Sequence, residues 1–161
     1  MSDNSSMYQK LHTAASTFVL TNKPISSVSD NAAMLSARSP ECQVHYAPSS
    51  YQSLVPQIRG SFSNDQYTGR MAAVFPLVEN VHIEIKEIIV DEAKKSVVVW
   101  AVHCLTPKRR TETKNEFMWL LNMDETGEKV KKAVAFVDTA GSVEFFKDMG
   151  AVAKEIGVEL K

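Results

Sequence analysis

Ser96-Val97-Val98-Val99-Trp100-Ala101-Val102-His103-Cys104-Leu105 is the stretch whose reading decides the fold class. Its run of β-branched and aromatic residues is strand-like, and its near-continuous apolarity predicts a central strand buried on both faces. Strand signals continue on either side. Val81 to Val90 alternates Ile and Val with His82, Glu84 and Lys86, and joins the central stretch through the polar turn Asp91-Glu92-Ala93-Lys94-Lys95. After the charged hairpin loop at Pro107-Lys108-Arg109-Arg110, Lys114 to Met123 carries Phe117, Trp119 and Leu121 on one face. Asp124-Glu125-Thr126-Gly127 is a turn, and Lys129 to Val137 is a last long strand.

The rest of the chain is mostly helical. Met7, Leu11, Ala14, Ala15, Phe18 and Val19 recur at helical spacing behind Ser5 or Ser6 as a cap, and Pro24 follows the end. Ser27 to Ser36 is a shorter helix. Pro40 blocks its continuation, and Gln43 to Tyr46 is a short strand. Pro48 to Gly60 reads as loop. Asn64 or Asp65 caps a third helix with Tyr67, Met71, Val74, Phe75 and Val78, which Pro76 kinks or ends. Ser142 to Ile156 returns to helix. Helices segregated from a run of strands predict an α+β fold: a curved antiparallel sheet with helices packed over its concave face, in one domain spanning 1–161. The space between sheet and helices is where a pocket would form.

Composition narrows the function. The chain has 161 residues, 44% hydrophobic and 23% charged, a size that supports one core. Eighteen basic residues against nineteen acidic ones give a net charge of −1, which argues against a partner held by its phosphates. Two cysteines and four histidines argue against a structural metal site, so no metal is expected. Cys42 and Cys104 form no close pair, so two buried free thiols are expected. Met1 to Ser6 has neither a basic nor an apolar segment, and no apolar run reaches the ~20 residues of a membrane helix. The expectation is a cytoplasmic protein without a nucleic-acid or membrane partner.

Four segments resemble a known family: Ala37-Arg38-Ser39-Pro40-Glu41-Cys42, Asn115-Glu116-Phe117-Met118-Trp119-Leu120-Leu121, Asp124-Glu125-Thr126-Gly127-Glu128-Lys129-Val130, and Ala135-Phe136-Val137-Asp138-Thr139. The sequence is similar to the SnoaL-like branch of the nuclear transport factor 2-like superfamily, and within it to small fungal proteins of secondary metabolism. The resemblance runs from about Tyr8 to about Phe146. It implies a cone-shaped α+β fold, a homodimer, and a cofactor-free enzyme. Such an enzyme isomerises or cyclises a mostly apolar polyketide, meroterpenoid or alkaloid intermediate by acid–base chemistry. A non-catalytic binding or association module of the same fold is the alternative, and a dehydratase or hydrolase is the third reading.

The resemblance also singles out residues. Arg38 matches the family's arginine; it would polarise a substrate oxygen, or else pin the loop at Pro40. Asp138 matches the family's aspartate, as a base, as a partner orienting Arg38, or as the cap of the next helix. Two positions depart from the pattern: relatives tend to have Tyr at Phe117 and Glu at Ala135, and neither replacement transfers protons. His103, inside the central strand, is the first substitute, and His45 a further one. Period-2 alternation groups His103 with Ala101 and Val99, and Trp100 with Val102 and Cys104. Trp119 and Trp100 could stack on substrate, while Tyr46, Tyr51 and Tyr67 could line the loop side. Glu116 falls opposite Phe117 and Trp119, towards the outer face of the sheet or a dimer interface. The expected catalytic set is Arg38, His103 and Asp138. The expected binding set is His45, Tyr46, Tyr67, Phe117, Trp119, Ala135 and Trp100.

Overall fold

Alternation of apolar and polar side chains builds the sheet that organises this chain. The computed structural model describes residues 6–160. Helices α1 (Met7–Leu20) and α2 (Val28–Ser36) lead into strand β1 (Arg38–Ala47). Helix α3 (Ser49–Leu54), a single 3-10 turn (Pro56–Ile58), the two-residue strand β2 (Ser61–Phe62) and helix α4 (Asn64–Val74) follow. Strands β3 (Val78–Asp91), β4 (Ser96–Pro107), β5 (Thr113–Met123) and β6 (Val130–Val137) then run to helix α5 (Thr139–Ile156). The strands form one sheet in the order β2-β1-β6-β5-β4-β3. Every pairing is antiparallel except β1 with β6, which is parallel. Register shifts within β3 and near the end of β5 bend the sheet, because a bulged strand curves and twists more strongly.

The inner face is a ladder of fully buried positions. Val99 opposes Trp119, which opposes Ala135; Val97 opposes Leu121, which opposes Ala133. Helix α1 lays Leu11, Ala15, Phe18 and Val19 into this face, and the Phe18 ring meets Trp119 edge-on at 5.4 Å. The outer face differs from expectation. In β4, Val97, Val99, Ala101 and His103 are all buried on one face, while on the other Cys104 is buried but Trp100 is 38% exposed. Strand β4 is therefore fully covered by this chain on one face only.

Other sequence expectations shift in detail. Strand β1 begins at Arg38 rather than Gln43 and takes Pro40 into its irregular stretch, where a missing N–H breaks no ladder bond. The stretch Pro48 to Gly60, expected to be loop, holds α3 and the 3-10 turn, since Pro48 sets the entry to a first turn; β2 follows it, where Phe62 pairs with Val44. Ser63, not Asn64 or Asp65, caps α4, in a reciprocal capping box with Gln66. Pro76 falls in the 3-10 turn that ends that helix. Ser6 caps α1 in the same way with Gln9, while Ser5 lies outside the described residues. Helix α5 starts at Thr139, one turn earlier than read. Its second half packs Met149, Val152 and Ala153 on Leu77 and Val78, in a small separate core. Cys42 and Cys104 are both free and buried. Among the described residues, no helix is long and apolar enough to cross a membrane.

Candidate functional site

The helices do not fill the concave side of the sheet. A cavity of about 170 Å³ lies between β4, β5, α3, α4 and α5. Its walls are largely apolar, with Val81, Leu105, Phe117, Phe145 and Phe146 contributing. Its polar lining comes from Tyr46, His103 and Asn115 on strands β1, β4 and β5, Tyr51 on α3, Tyr67 and the charged Arg70 on α4, and Ser142 on α5, with Asn22 and Gln57 from the connecting segments. Among the described residues, no aspartate or glutamate lines it.

His103 is 4% exposed and its ring lies 4.2 Å from that of Phe117. The Trp119 indole N–H donates to His103 Nε2 at 3.3 Å. Burial pulls the imidazole pKa from 6.5 down to about 4, because the cation loses its hydration and gains no counter-charge. The Trp119 bond acts in the same direction, since an indole N–H only donates and an imidazolium has no acceptor for it. His103 at neutral pH is thus an uncharged ring with its proton on Nδ1.

Tyr46 and Tyr51 are held as neutral phenols. Burial, with Tyr67 alongside, raises Tyr46 well above the ordinary phenol value, and burial pushes Tyr51 up to about 12. Tyr67 Oη donates to Asn22 Oδ1 at 2.7 Å, which fixes its ring. Behind Tyr67 lies Arg38, 4% exposed, with its guanidinium carbon 4.4 Å from the Phe18 ring centre and 4.5 Å from that of Tyr67. All three guanidinium nitrogens are buried without a hydrogen-bond partner among the described residues. The adjacent Cys42 thiol is raised by burial, with Arg38 opposing.

The structure thus brings together part of the expected set. His103, Tyr46, Tyr67 and Phe117 line one cavity. Arg38 is one layer behind it, in contact with its wall through Tyr67. Trp119 is fully buried beneath the wall and acts on the cavity through His103. The remaining expected residues lie outside the cavity lining. Trp100 is on the outer face, where its indole N–H donates to Glu116. His45 also faces outward, because its neighbours Val44 and Tyr46 take the inner side, and it pairs with Ser61 on the edge strand β2. Ala135 is fully buried beside its cross-strand neighbour Trp119 and is not part of the cavity lining. Asp138 is exposed at the start of α5, outside the cavity lining and without an ion pair to Arg38 among the described residues, and its Oδ2 and Oδ1 of the cavity-lining Asn115 both come within 2.8 Å of the Cβ position of Gly141. Sequence reading missed Asn115 and Ser142. Parity carried a signal for the first: Asn115 is two residues before Phe117 and sits directly opposite His103.

No family model matches the chain, and no curated protein matches it by sequence. Solved structures do match. The BvnE pinacolase of Penicillium brevicompactum aligns at TM-score 0.74 with 23% identity, covering 94% of this chain and 97% of that one. PrhC of Penicillium brasilianum NBRC 6234 aligns at TM-score 0.74 with 19% identity, covering 91% of each. A Shewanella denitrificans OS-217 protein assigned as a SnoaL-like polyketide cyclase aligns at TM-score 0.63 with 8% identity, covering 85% of this chain and 96% of that one. The chain has the SnoaL-like, nuclear transport factor 2-like fold.

Proposed function

We propose that the protein is a cofactor-independent isomerase or cyclase for a mostly apolar small molecule of secondary metabolism. The carrying observation is the cavity: largely apolar walls around the hydrogen-bond donors of His103, Tyr46 and Tyr51 and the cationic Arg70, in a fold whose solved examples include a pinacolase. Such a lining favours chemistry in which negative charge develops on a substrate oxygen in a water-poor site. The imidazole Nδ1–H of His103 and the phenols of Tyr46 and Tyr51 are the donors for that oxygen. With Nε2 engaged by Trp119, His103 polarises a carbonyl as an uncharged donor rather than removing a proton as a base. Arg38 adds an unpaired positive charge behind Tyr67, which favours an anionic oxygen on the cavity side.

A specific observation favours a second reading. Among the described residues no aspartate or glutamate lines the cavity, and Phe117 and Ala135 are inert, so the same pocket could bind a small molecule without converting it. One experiment separates the two. Metabolites that accumulate when the gene is deleted are incubated with purified protein. Conversion of one of them to a product of the same mass supports the enzyme, whereas binding without conversion supports the carrier. A loss of water would instead indicate a dehydratase.

Arg38→Met tests the role of the buried charge. Replacing an unpaired buried charge by an apolar side chain of similar length costs little stability. Its urea midpoint is expected to stay level or rise while turnover falls by about 10²-fold. A loss of more than about 2 kcal/mol would instead make Arg38 a structural pin of β1.

The protein is further proposed to form a homodimer through the outer face of the sheet, where Trp100, Met118, Leu120 and Phe136 lie exposed together.

A further inference from the structure

The end of the cavity beside α4 is positively charged. Tyr67, Arg70, Met71 and Val74 recur at helical spacing and all line the cavity, so Arg70 lies on the face that α4 turns towards it. Its guanidinium is held on two sides. The group lies over the Phe62 ring, 4.7 Å from the centre, and Nη1 donates to the Gln57 carbonyl at 3.0 Å. Nε and Nη2 have no hydrogen-bond partner among the described residues, and unlike the three nitrogens of Arg38 they are not sealed from solvent. These two N–H groups share one edge of the guanidinium, the edge that grips both oxygens of a carboxylate side-on. Among the described residues no aspartate or glutamate forms an ion pair with Arg70.

The polar groups around Arg70 add donors. The Tyr46 ring lies 6.2 Å from that of Tyr51 and 6.1 Å from that of Phe62, so both phenols belong to this end. The Arg70 charge opposes the effect of burial on each of them. Tyr51 is 6% exposed, and its hydroxyl is neither hydrogen-bonded nor sealed, so it opens on the cavity that the residue lines. Asn22 turns Oδ1 to the Tyr67 hydroxyl and keeps only its amide N–H groups to offer. Gln57 spends its backbone carbonyl on Arg70, and its side chain is exposed. Arg38, 4.5 Å from the Tyr67 ring centre, has its nitrogens sealed and adds a second positive charge without contact.

We propose that this end of the cavity is the binding site for a carboxylate group on an otherwise apolar ligand. Arg70 Nε–H and Nη2–H donate to its two oxygens, and the Tyr51 hydroxyl donates to one of them. Val81, Leu105 and Phe145 form the apolar wall for the remainder. This assignment rests on reading the cavity as a small-molecule site and adds the charge and the functional group it selects. A primary amide of the same shape fills the same space but sets an N–H donor against the guanidinium edge, so the site discriminates by sign rather than by size.

The test uses two probes of matched shape, 3-phenylpropanoate and 3-phenylpropanamide, titrated calorimetrically into the purified protein at neutral pH and low ionic strength. The acid is expected to bind about tenfold more tightly than the amide, since hydrogen bonds between charged partners are the stronger kind. That preference should fall to near unity in Arg70→Met and shrink in Tyr51→Phe. Arg70→Lys keeps the charge without the fork and should give an intermediate value. Equal binding of both probes to the unaltered protein would overturn the carboxylate site and leave the small-molecule cavity standing. A preference that survives Arg70→Met would also overturn it, and failure of both probes to bind would overturn site and cavity together. Should Arg70→Met not fold, the Arg70 Nε–H resonance of the unaltered protein decides: the acid should shift it downfield and the amide should not, and a resonance that the acid leaves in place overturns the assignment.

Discussion

His103 shows how one residue's surroundings set its chemistry. As a residue type, histidine is a ready acid or base near neutral pH. Enclosed by Phe117 and Trp119, it is an uncharged donor instead. This has a measurable consequence for stability. The unfolded chain protonates this ring near pH 6.5, while the folded chain does so only near pH 4. Between these values the unfolded state binds more protons, so stability is full above pH 6.5 and falls as the pH is lowered towards 4. From pH 7 to pH 5 the ring's contribution should drop by about 2 kcal/mol. Urea unfolding of the wild type and His103→Gln at both pH values checks this. The variant should lose correspondingly less stability on acidification, and equal losses would mean that His103 is not desolvated in the folded protein. Sequence alone placed His103 among apolar neighbours. The choice between base and donor depended on Trp119, sixteen residues away in sequence and on the next strand.

At the scale of elements, the turn between β5 and β6 ties the sheet to α1. Gly127 ends that turn at φ +75°, a conformation in which a side chain is strained. A Cβ there would lie 2.6 Å from Met7 Sδ and 3.3 Å from Leu11 Cδ2, so the turn is moulded against the first helix. Gly127→Ala should therefore cost about 1–3 kcal/mol, from backbone strain plus the displaced Met7. Thermal unfolding with and without the substitution measures it; an unchanged melting temperature would show that α1 does not bear on this turn. The strands β3 to β6 and helices α1 and α5 were legible from periodicity, since each is long and has a clear apolar face. Helix α3 and strand β2 were not. They are short, and their stability comes from pairing and packing with β1 rather than from local preference.

For the whole molecule, the open question at the surface is what covers the sheet's outer face. Phe136 is 48% exposed and Leu120 43% exposed there, beside Trp100 and Met118. Light scattering of the wild type is expected to give twice the 17.9 kDa chain mass. Phe136→Glu should give the single-chain mass with an unchanged circular dichroism spectrum, because the side chain points away from the core. A monomeric wild type at micromolar concentration would refute the dimer. The sequence by itself determined the α+β class, the strand parity and the absence of phosphate-binding charge, because these follow from local periodicity and composition. It also grouped His103 with Ala101 and Val99. The tertiary structure decided which parity faces the cavity and moved Trp100, His45 and Asp138 out of the site. It placed Arg38 behind Tyr67 and brought Asn115 and Ser142 beside His103. The reason is geometric: periodicity records which residues share a face, but a cavity is made where faces of several elements meet, and that meeting is set by how β5 and α5 pack around the bent sheet.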